Sequence, residues 1–131
     1  MKALDTNVLI RYLIQDDVAQ GQRAAAFIQA ADSRDEQIFI GNIVLCEMVW
    51  VLDSAYGYAK SEIADALEKL LQAAAFKFEG KDIVRTALEE YRGSRVDFAD
   101  CLIGRINQGL GCETTMTFDS ALRKIQTFEI L

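Results

Sequence analysis

The hydrophobic positions of this chain follow two spacings, one typical of helices and one typical of buried strands. In residues 61–75, for example, Ile63, Leu67, Leu70 and Leu71 recur at helical spacing and would share one face. Short runs of β-branched and aromatic residues lie between such stretches. The pattern predicts helices over Thr6–Ile14, Val18–Ala31, Ile43–Tyr56, Ser61–Ala75, Lys81–Tyr91, Asp97–Gln108 and Ser120–Ile125, and strands over Lys2–Asp5, Gln37–Ile40, Ala75–Phe78, Cys112–Phe118 and Phe128–Leu131.

The alternation of strands with helices predicts an α/β fold with a mostly parallel central sheet of about four to five strands, flanked by helices. A length of 131 residues suits a single domain, 1–131. Ligands of open parallel sheets bind beyond the carboxyl ends of the strands. Asp5 ends one predicted strand and Asp119 directly follows another, so we expect both to face a functional site.

The composition excludes several kinds of catalysis and metal site. Histidine is absent, which removes Ser-His-Asp and Cys-His catalysis and leaves oxygen ligands for any metal. The cysteines Cys46, Cys101 and Cys112 have no CxxC spacing, so we interpret them as reduced core residues rather than disulfides or zinc ligands. Oxygen ligands favour hard cations such as Mg²⁺ or Mn²⁺.

Charge and hydropathy bear on location and partners. An acid at position 5 comes too early for a signal peptide, and no apolar stretch reaches the roughly 20 residues that span a bilayer. We therefore expect a soluble, cytoplasmic protein. A net charge of −6 argues, by itself, against nucleic acid as a partner, although net charge describes the whole surface and not one cleft.

Glu47 is the sharpest single signal, since it is the only charged residue in the apolar segment 43–52. A helix this apolar is expected to be buried on most sides, and a buried glutamate needs an ion-pair partner or a cation. The alternative is a glutamate on a narrow exposed stripe or in a salt bridge with an arginine.

Four aspartates are further candidates, each with a capping alternative. Asp5 and Asp119 precede predicted helices, and Asp97 is a plausible N-cap three positions before Asp100. Asp100 borders an apolar face, which makes it the better ligand candidate, while Gly104 one turn later suits close packing or close approach of another chain. Carboxylates that gather at one place repel one another and are held together mainly by a cation.

Four segments share their order and spacing with a known family: Leu-Asp-Thr-Asn-Val-Leu-Ile-Arg-Tyr-Leu (4–13), Glu-Met-Val-Trp-Val-Leu (47–52), Asp-Phe-Ala-Asp-Cys-Leu-Ile (97–103) and Thr-Phe-Asp-Ser-Ala-Leu (117–122). Through them the chain resembles, over nearly its whole length, the PIN-domain nucleases, and within these the VapC-type toxins of bacterial toxin–antitoxin pairs. The resemblance implies a three-layer α/β/α fold.

The resemblance also implies site residues, a cofactor and partners. Asp5, Glu47, Asp100 and Asp119 look like the catalytic, metal-binding acids, and Asp97 looks like an accessory acid or a helix cap. Thr6, Asn7 and Thr117 look like supporting polar residues. The implied activity is Mg²⁺- or Mn²⁺-dependent hydrolysis of RNA that leaves a 5′-phosphate and a 3′-hydroxyl. The implied partners are a small antitoxin protein and a second copy of the chain in a homodimer.

Four arginines surround the Asp97 segment in sequence, and we take them as candidate phosphate contacts, with an ordinary solvated face as the alternative: Arg85, Arg92, Arg95 and Arg105. Three other functions stay open. A non-catalytic PIN-like module would bind RNA or a partner without cleavage. A receiver domain would need two acids at the end of the first strand and an acceptor aspartate on a middle strand. An aspartate-nucleophile phosphatase would need Asp-x-Asp, but position 7 is Asn.

Overall fold

A computed structural model describes all residues, 1–131, as six α-helices, five short strands and one turn of 3-10 helix. The strands are β1 (Lys2–Ala3), β2 (Ile38–Ile40), β3 (Phe76–Phe78), β4 (Thr115–Thr117) and β5 (Phe128–Ile130), and the helices are α1 (Thr6–Leu13), α2 (Val18–Ser33), α3 (Asn42–Ser54), α4 (Lys60–Gln72), α5 (Lys81–Arg92) and α6 (Phe98–Gly109), with the 3-10 turn at Ser120–Leu122. The helices predicted from the periodicity begin and end within a few residues of these bounds.

The chain divides into two compact units, residues 1–79 and 80–131. The first unit holds the parallel sheet β1-β2-β3, in which Lys2 pairs with Ile38 and Ile38 pairs with Phe76. The residues of β2 are all apolar, and those of β3 alternate between apolar and polar. Ile38, Ile40 and Phe76 are buried. Burial of these side chains fixes the register, because a slip of one residue would turn them to the other face.

The second unit holds a two-stranded parallel ladder, β4-β5, and the packed helix pair α5 and α6. Val84, Leu88 and Tyr91 on α5 and Phe98 and Leu102 on α6 are buried. The Tyr91 and Phe98 rings meet edge to face, with their centroids 5.8 Å apart. This apolar packing holds the first turn of α6, where two of the candidate acids lie.

The predicted α/β class with parallel strands and flanking helices is confirmed, while two details differ. The hydrogen-bonded strands form two ladders rather than one sheet. The predicted helix over 120–125 is a 3-10 turn, since Leu122 and Arg123 donate to carbonyls three positions back, those of Asp119 and Ser120. The prediction of a single domain over 1–131 stays a prediction.

The predicted strand over 112–118 begins only at Thr115, because Cys112 belongs to the turn that ends α6. Its N–H donates to the carbonyl of Asn107, and Gly111 adopts a φ of 95°.

The three cysteines form no disulfide bond with one another. Only Cys101 is buried, while Cys46 is half-buried and Cys112 is exposed. None of the helices combines the length and apolarity that a bilayer crossing requires.

Candidate functional site

Asp5 lies just past β1 and begins α1. It is the N-cap residue of this helix, and its Oδ1 accepts a hydrogen bond from the Val8 N–H at 3.0 Å. The capping role expected from the sequence is therefore present. The cap uses one carboxylate oxygen and the side chain is exposed, so the strand-end position and the cap are compatible.

Glu47 is joined to the start of α1 through Thr6, whose Oγ1 donates to Glu47 Oε1 at 3.1 Å. The first unit thus brings together three of the predicted site residues: Asp5, Thr6 and Glu47. Asn7 follows on α1 with an exposed side chain. Thr6 orients the Glu47 carboxylate and leaves its second oxygen available to a ligand.

The expectation that Glu47 is buried is wrong. Its side chain is exposed, on the same side of α3 as Ile43 and Trp50, which are 77% and 69% exposed. The helix is apolar all round, but it buries only the stripe formed by Leu45, Met48 and Leu52. Its composition predicts that such a helix packs against the rest of the protein, but does not predict how many of its faces are buried. Burial therefore does not force a role on Glu47, and the feature that singles out its side chain is the hydrogen bond from Thr6.

A polar network fixes α1 relative to the end of α3. Tyr56 OH donates to Asp16 Oδ2 at 2.8 Å, and Arg11 Nη1 contacts Asp16 Oδ1 at 3.1 Å and Tyr56 OH at 3.3 Å. The Tyr56 hydroxyl and the Arg11 guanidinium hold the pKa of Asp16 below its ordinary value. The network constrains the two helices that carry Asp5, Thr6 and Glu47.

Glu79 helps to hold the start of α3, a role that was not predicted from the sequence. It directly follows β3, and its Oε1 accepts a hydrogen bond from the Asn42 N–H at 2.6 Å. Gly41, the N-cap residue of α3, offers no side chain to this N–H, so Glu79 caps the helix from another strand end. Its only sequence signal is an acid after a predicted strand, the same signal that singled out Asp5.

Asp97 and Asp100 lie at the start of α6 in the second unit. Asp97 holds the N-cap position, but its side chain makes no capping hydrogen bond, so the carboxylate is not committed to the helix. Asp100 is half-buried in the first turn. Partial burial raises the pKa of Asp100, and the nearby charges of Asp97 and Asp119 raise it further. The charges of Asp97 and Asp119 therefore both reach Asp100.

Asp119 follows β4 and begins the 3-10 turn. Its Oδ1 accepts from the Ala121 N–H at 2.9 Å, and its own N–H donates to Thr117 Oγ1 at 3.0 Å. The Thr117 hydroxyl thus lies beside Asp119, where it accepts from the backbone N–H and does not contact the carboxylate. Like Asp5, Asp119 is a strand-end acid and a cap at once.

Gly104 explains how α6 is held against the segment before β5. A Cβ at this position would collide with Thr127 Oγ1 and would lie 2.9 Å from Phe128 Cε2. Thr127 is 2% exposed, so it has no room to retreat. Close packing, one of the two roles expected for Gly104, is thus what the structure shows.

Of the four candidate arginines, Arg105 has a structural role. Its Nη2 lies 2.8 Å from Glu90 Oε2, with side-chain exposures of 18% and 12%, and its Nη1 donates to Gln108. This pair joins α5 to α6 and, with Gln108, engages Nη1 and Nη2 within the chain, which disfavours the predicted phosphate contact of Arg105. Arg92 also has an interaction within the chain. Arg95, two residues before Asp97, is exposed.

The donor set suits a hard divalent cation, since every candidate ligand is a carboxylate and no histidine competes. No three acidic or cysteine side chains stand close enough together to hold a metal ion by themselves. Mg²⁺ commonly takes one or two carboxylates and completes its shell with water and substrate oxygens. The mutual repulsion of Asp97, Asp100 and Asp119 is the kind of charge that a cation offsets.

Two comparisons with known proteins give a match over nearly the whole chain. The family model described as "PIN domain" matches residues 2–127. The chain is also 26% identical over 125 residues to a protein named "VapC ribonuclease" from Aquifex aeolicus (strain VF5), and the match covers 95% of this chain and 92% of that relative. The range matched by the PIN-domain model includes Asp5, Glu47, Asp97, Asp100 and Asp119.

Proposed function

The chain belongs to the PIN-domain family of nucleases, and on that premise we propose that it is a metal-dependent endoribonuclease that acts as the toxin of a toxin–antitoxin pair. The proposal takes Asp5, Glu47, Asp100 and Asp119 as catalytic, metal-binding acids. Asp97 is the accessory acid, and Thr6, Asn7 and Thr117 support them.

The observation that carries this proposal is the placement of half-buried Asp100 within reach of the charges of Asp97 and Asp119 in the second unit. The charges of Asp97 and Asp119 act on a half-buried Asp100, and none of the three has a basic hydrogen-bond partner. A fold that keeps like charges together without a counter-charge loses stability unless a cation binds there. Such an arrangement is expected at a metal site and has no evident structural benefit.

The chain's own residues would act by binding and orientation. Thr6 holds one oxygen of Glu47, and the caps at Val8 and Ala121 hold one oxygen each of Asp5 and Asp119. These hydrogen bonds restrict the orientations that the carboxylates of Asp5, Glu47 and Asp119 can take. A bound Mg²⁺ or Mn²⁺ would supply water activation and neutralisation of charge on the phosphate oxygens. Arg95, together with Arg85, is the remaining candidate for contact with the RNA phosphates.

RNA cleavage by the purified chain tests the proposal. The protein is freed of any partner and incubated with structured RNA in Mg²⁺, Mn²⁺ or EDTA, beside Asp5→Asn and Glu47→Gln. We expect cleavage by the wild type with either metal, 5′-phosphate products, and no cleavage in EDTA or by the variants. Asp82→Asn, an exposed acid on α5, is the matched control and should cleave normally. Equal cleavage by all variants, or cleavage that survives EDTA, would refute the mechanism, whereas RNA binding without cleavage by the wild type would indicate a non-catalytic RNA-binding module.

The toxin role has its own test. Expression of the wild type should arrest growth, and co-expression of a short protein encoded beside it should restore growth. The Aquifex aeolicus relative is named only as a ribonuclease, so the antitoxin is part of the proposal. If expression of the active nuclease leaves growth unaffected, the proposed nuclease activity stands and the proposed toxin role is refuted.

We propose a homodimer as well, and the exposed Ile43 and Trp50 on α3 favour such an association, because large exposed apolar side chains commonly mark interfaces. Light scattering after gel filtration should give twice the monomer mass. The same measurement on Trp50→Ser shows whether this face of α3 forms the contact. A monomer at all concentrations would refute the dimer.

A further inference from the structure

A cleft of about 670 Å³ lies in the first unit between α1 and α2. This volume is in the range of about 300–1,000 Å³ that is typical of small-ligand sites. One wall is formed by Gln20, Arg23 and Phe27, which recur at helical spacing on one face of α2. Asp5, one of the proposed catalytic acids, lies in the lining, so whatever occupies the cleft would lie next to that acid.

The charged groups of the cleft are mainly basic, in contrast to the net charge of −6 for the whole chain. The lining contains two arginines and one acid. Arg11 is already engaged, since its Nε donates to Gln20 at 2.8 Å and its Nη1 contacts Asp16. Arg23 is exposed and has no ion-pair or hydrogen-bond partner within the chain. One guanidinium is therefore available to an anion.

The rest of the lining is apolar with a small number of amide groups. Phe27 is half-buried, and Lys2 Nζ stands 5.8 Å from its ring centroid, which places a further positive charge at the rim. Val8 and Ala24 extend the apolar surface. Asn7 has an exposed amide without a partner in the chain. A flat ligand with polar edges and an attached anion matches these groups.

We propose that this cleft binds one nucleotide of the RNA strand beside the cleaved bond. Arg23 contacts its phosphate, Phe27 packs against the base, and Asn7 faces a polar edge of the base. Arginine suits phosphate through its planar set of donors, and aromatic rings stack on any base. The inference rests on the proposed function, because a strand whose phosphate reaches Asp5 must place a neighbouring nucleotide close to this lining.

Two readouts on the full chain test the proposal. In the first, the metal-free protein is titrated with AMP, GMP, CMP and UMP while backbone and side-chain NMR signals are followed. In the second, kcat and KM are measured with Mg²⁺ on a pool of randomised single-stranded RNA. The variants are Arg23→Gln and Phe27→Leu, with Arg34→Gln as the control that removes the same charge at the end of α2. Melting curves establish that each variant is folded.

We expect the mononucleotides to shift the signals of Asn7, Arg23 and Phe27. Arg23→Gln should raise KM about tenfold, the effect of losing one charge-assisted hydrogen bond, with kcat little changed. Phe27→Leu should raise KM about fivefold through lost stacking. Arg34→Gln should match the wild type in both readouts.

The failures are distinguishable. If the wild type cleaves RNA but the cleft signals do not shift and both variants keep the wild-type KM, the nucleotide site is refuted and the nuclease remains. If the wild type does not cleave RNA, the proposed function fails. The mononucleotide titration then tests the nucleotide site by itself, and signals that do not shift would refute that site. If the variants lose binding of a partner protein while nucleotide shifts and KM are unchanged, the cleft is a protein site and the proposal is overturned.

Discussion

Replacement of Gly104 by alanine tests how tightly α6, the helix that carries Asp100, is held in place. The added Cβ would collide with Thr127 Oγ1 and lie 2.9 Å from both Thr127 Cβ and Phe128 Cε2. Thr127 is 2% exposed and Phe128 is 9% exposed, so neither side chain has free space. The helix must therefore move away from the segment that leads into β5.

Two opposing effects set the magnitude. Overpacking of a dense core costs about 1–3 kcal/mol, and the upper part of this range fits a contact with two buried residues. Replacing glycine by alanine inside a helix returns about 1 kcal/mol. We expect a net loss of about 1–2 kcal/mol in the free energy of unfolding, or a fall of roughly 4–8 °C in melting temperature.

Urea and thermal unfolding of three variants measure this effect. Gly109→Ala is the matched control on the same helix, because its Cβ would meet only the flexible end of Ile83, at 3.1 Å; it should be neutral or slightly stabilising. Thr127→Ala combined with Gly104→Ala removes the worst contact and should restore part of the loss. A Gly104→Ala protein as stable as Gly109→Ala would refute the packing argument, and with it the view that Thr127 holds α6.

Three other substitutions probe the candidate site. Thr6→Val removes the hydroxyl that holds Glu47, so cleavage should fall about three- to tenfold while Thr6→Ser retains activity; an unchanged rate would show that Thr6 does not position Glu47. Asp100→Asn should reduce cleavage at least about a hundredfold without lowering the melting temperature of the metal-free chain, since it removes a charge that Asp97 and Asp119 repel; a large loss of stability would contradict the repulsion. Tyr56→Phe should destabilise the chain at neutral pH and lose this difference in acid. The folded-state pKa of Asp16 lies below its ordinary 3.8, so its stabilisation is present above that value and disappears as the pH falls through the folded-state pKa; a pH-independent difference in urea unfolding would argue against this cause.

Most of the secondary structure could be predicted, because the apolar period of each helix and the caps at its ends are local properties of the sequence. Asp5 and Asp119 illustrate this, since each proves to be both a strand-end acid and a helix cap. Position at the end of a parallel strand also depends only on the order of elements. This position therefore identifies Asp5 and Asp119 as candidate site residues without knowledge of the tertiary packing.

The remaining features depend on tertiary contacts that periodicity does not contain. The apolar sequence of α3 predicts a buried Glu47, but the helix buries one stripe and leaves the face with Glu47 exposed. Arg105 was grouped with possible phosphate ligands by its place in the sequence, yet its partner, Glu90, lies on the preceding helix. Glu79 caps α3 from 37 residues away, a contact that no local pattern indicates.

The acidity of the chain also takes on a different meaning once the residues are placed. Part of the net charge of −6 comes from the acids proposed to bind metal, and it does not describe the basic lining of the α1–α2 cleft. The proposed nuclease therefore does not need a basic surface overall. A low-affinity, salt-sensitive interaction with RNA is the expected consequence.

Direct binding of Mn²⁺ is the most decisive test of the central proposal, that these carboxylates bind a divalent cation. Electron paramagnetic resonance of free Mn²⁺ during titration with the protein counts the bound ions without any RNA. We predict binding by the wild type, strong weakening by Asp5→Asn, Glu47→Gln and Asp100→Asn, and wild-type binding by Asp82→Asn. Absence of binding by the wild type, or equal binding by all four variants, would contradict the account.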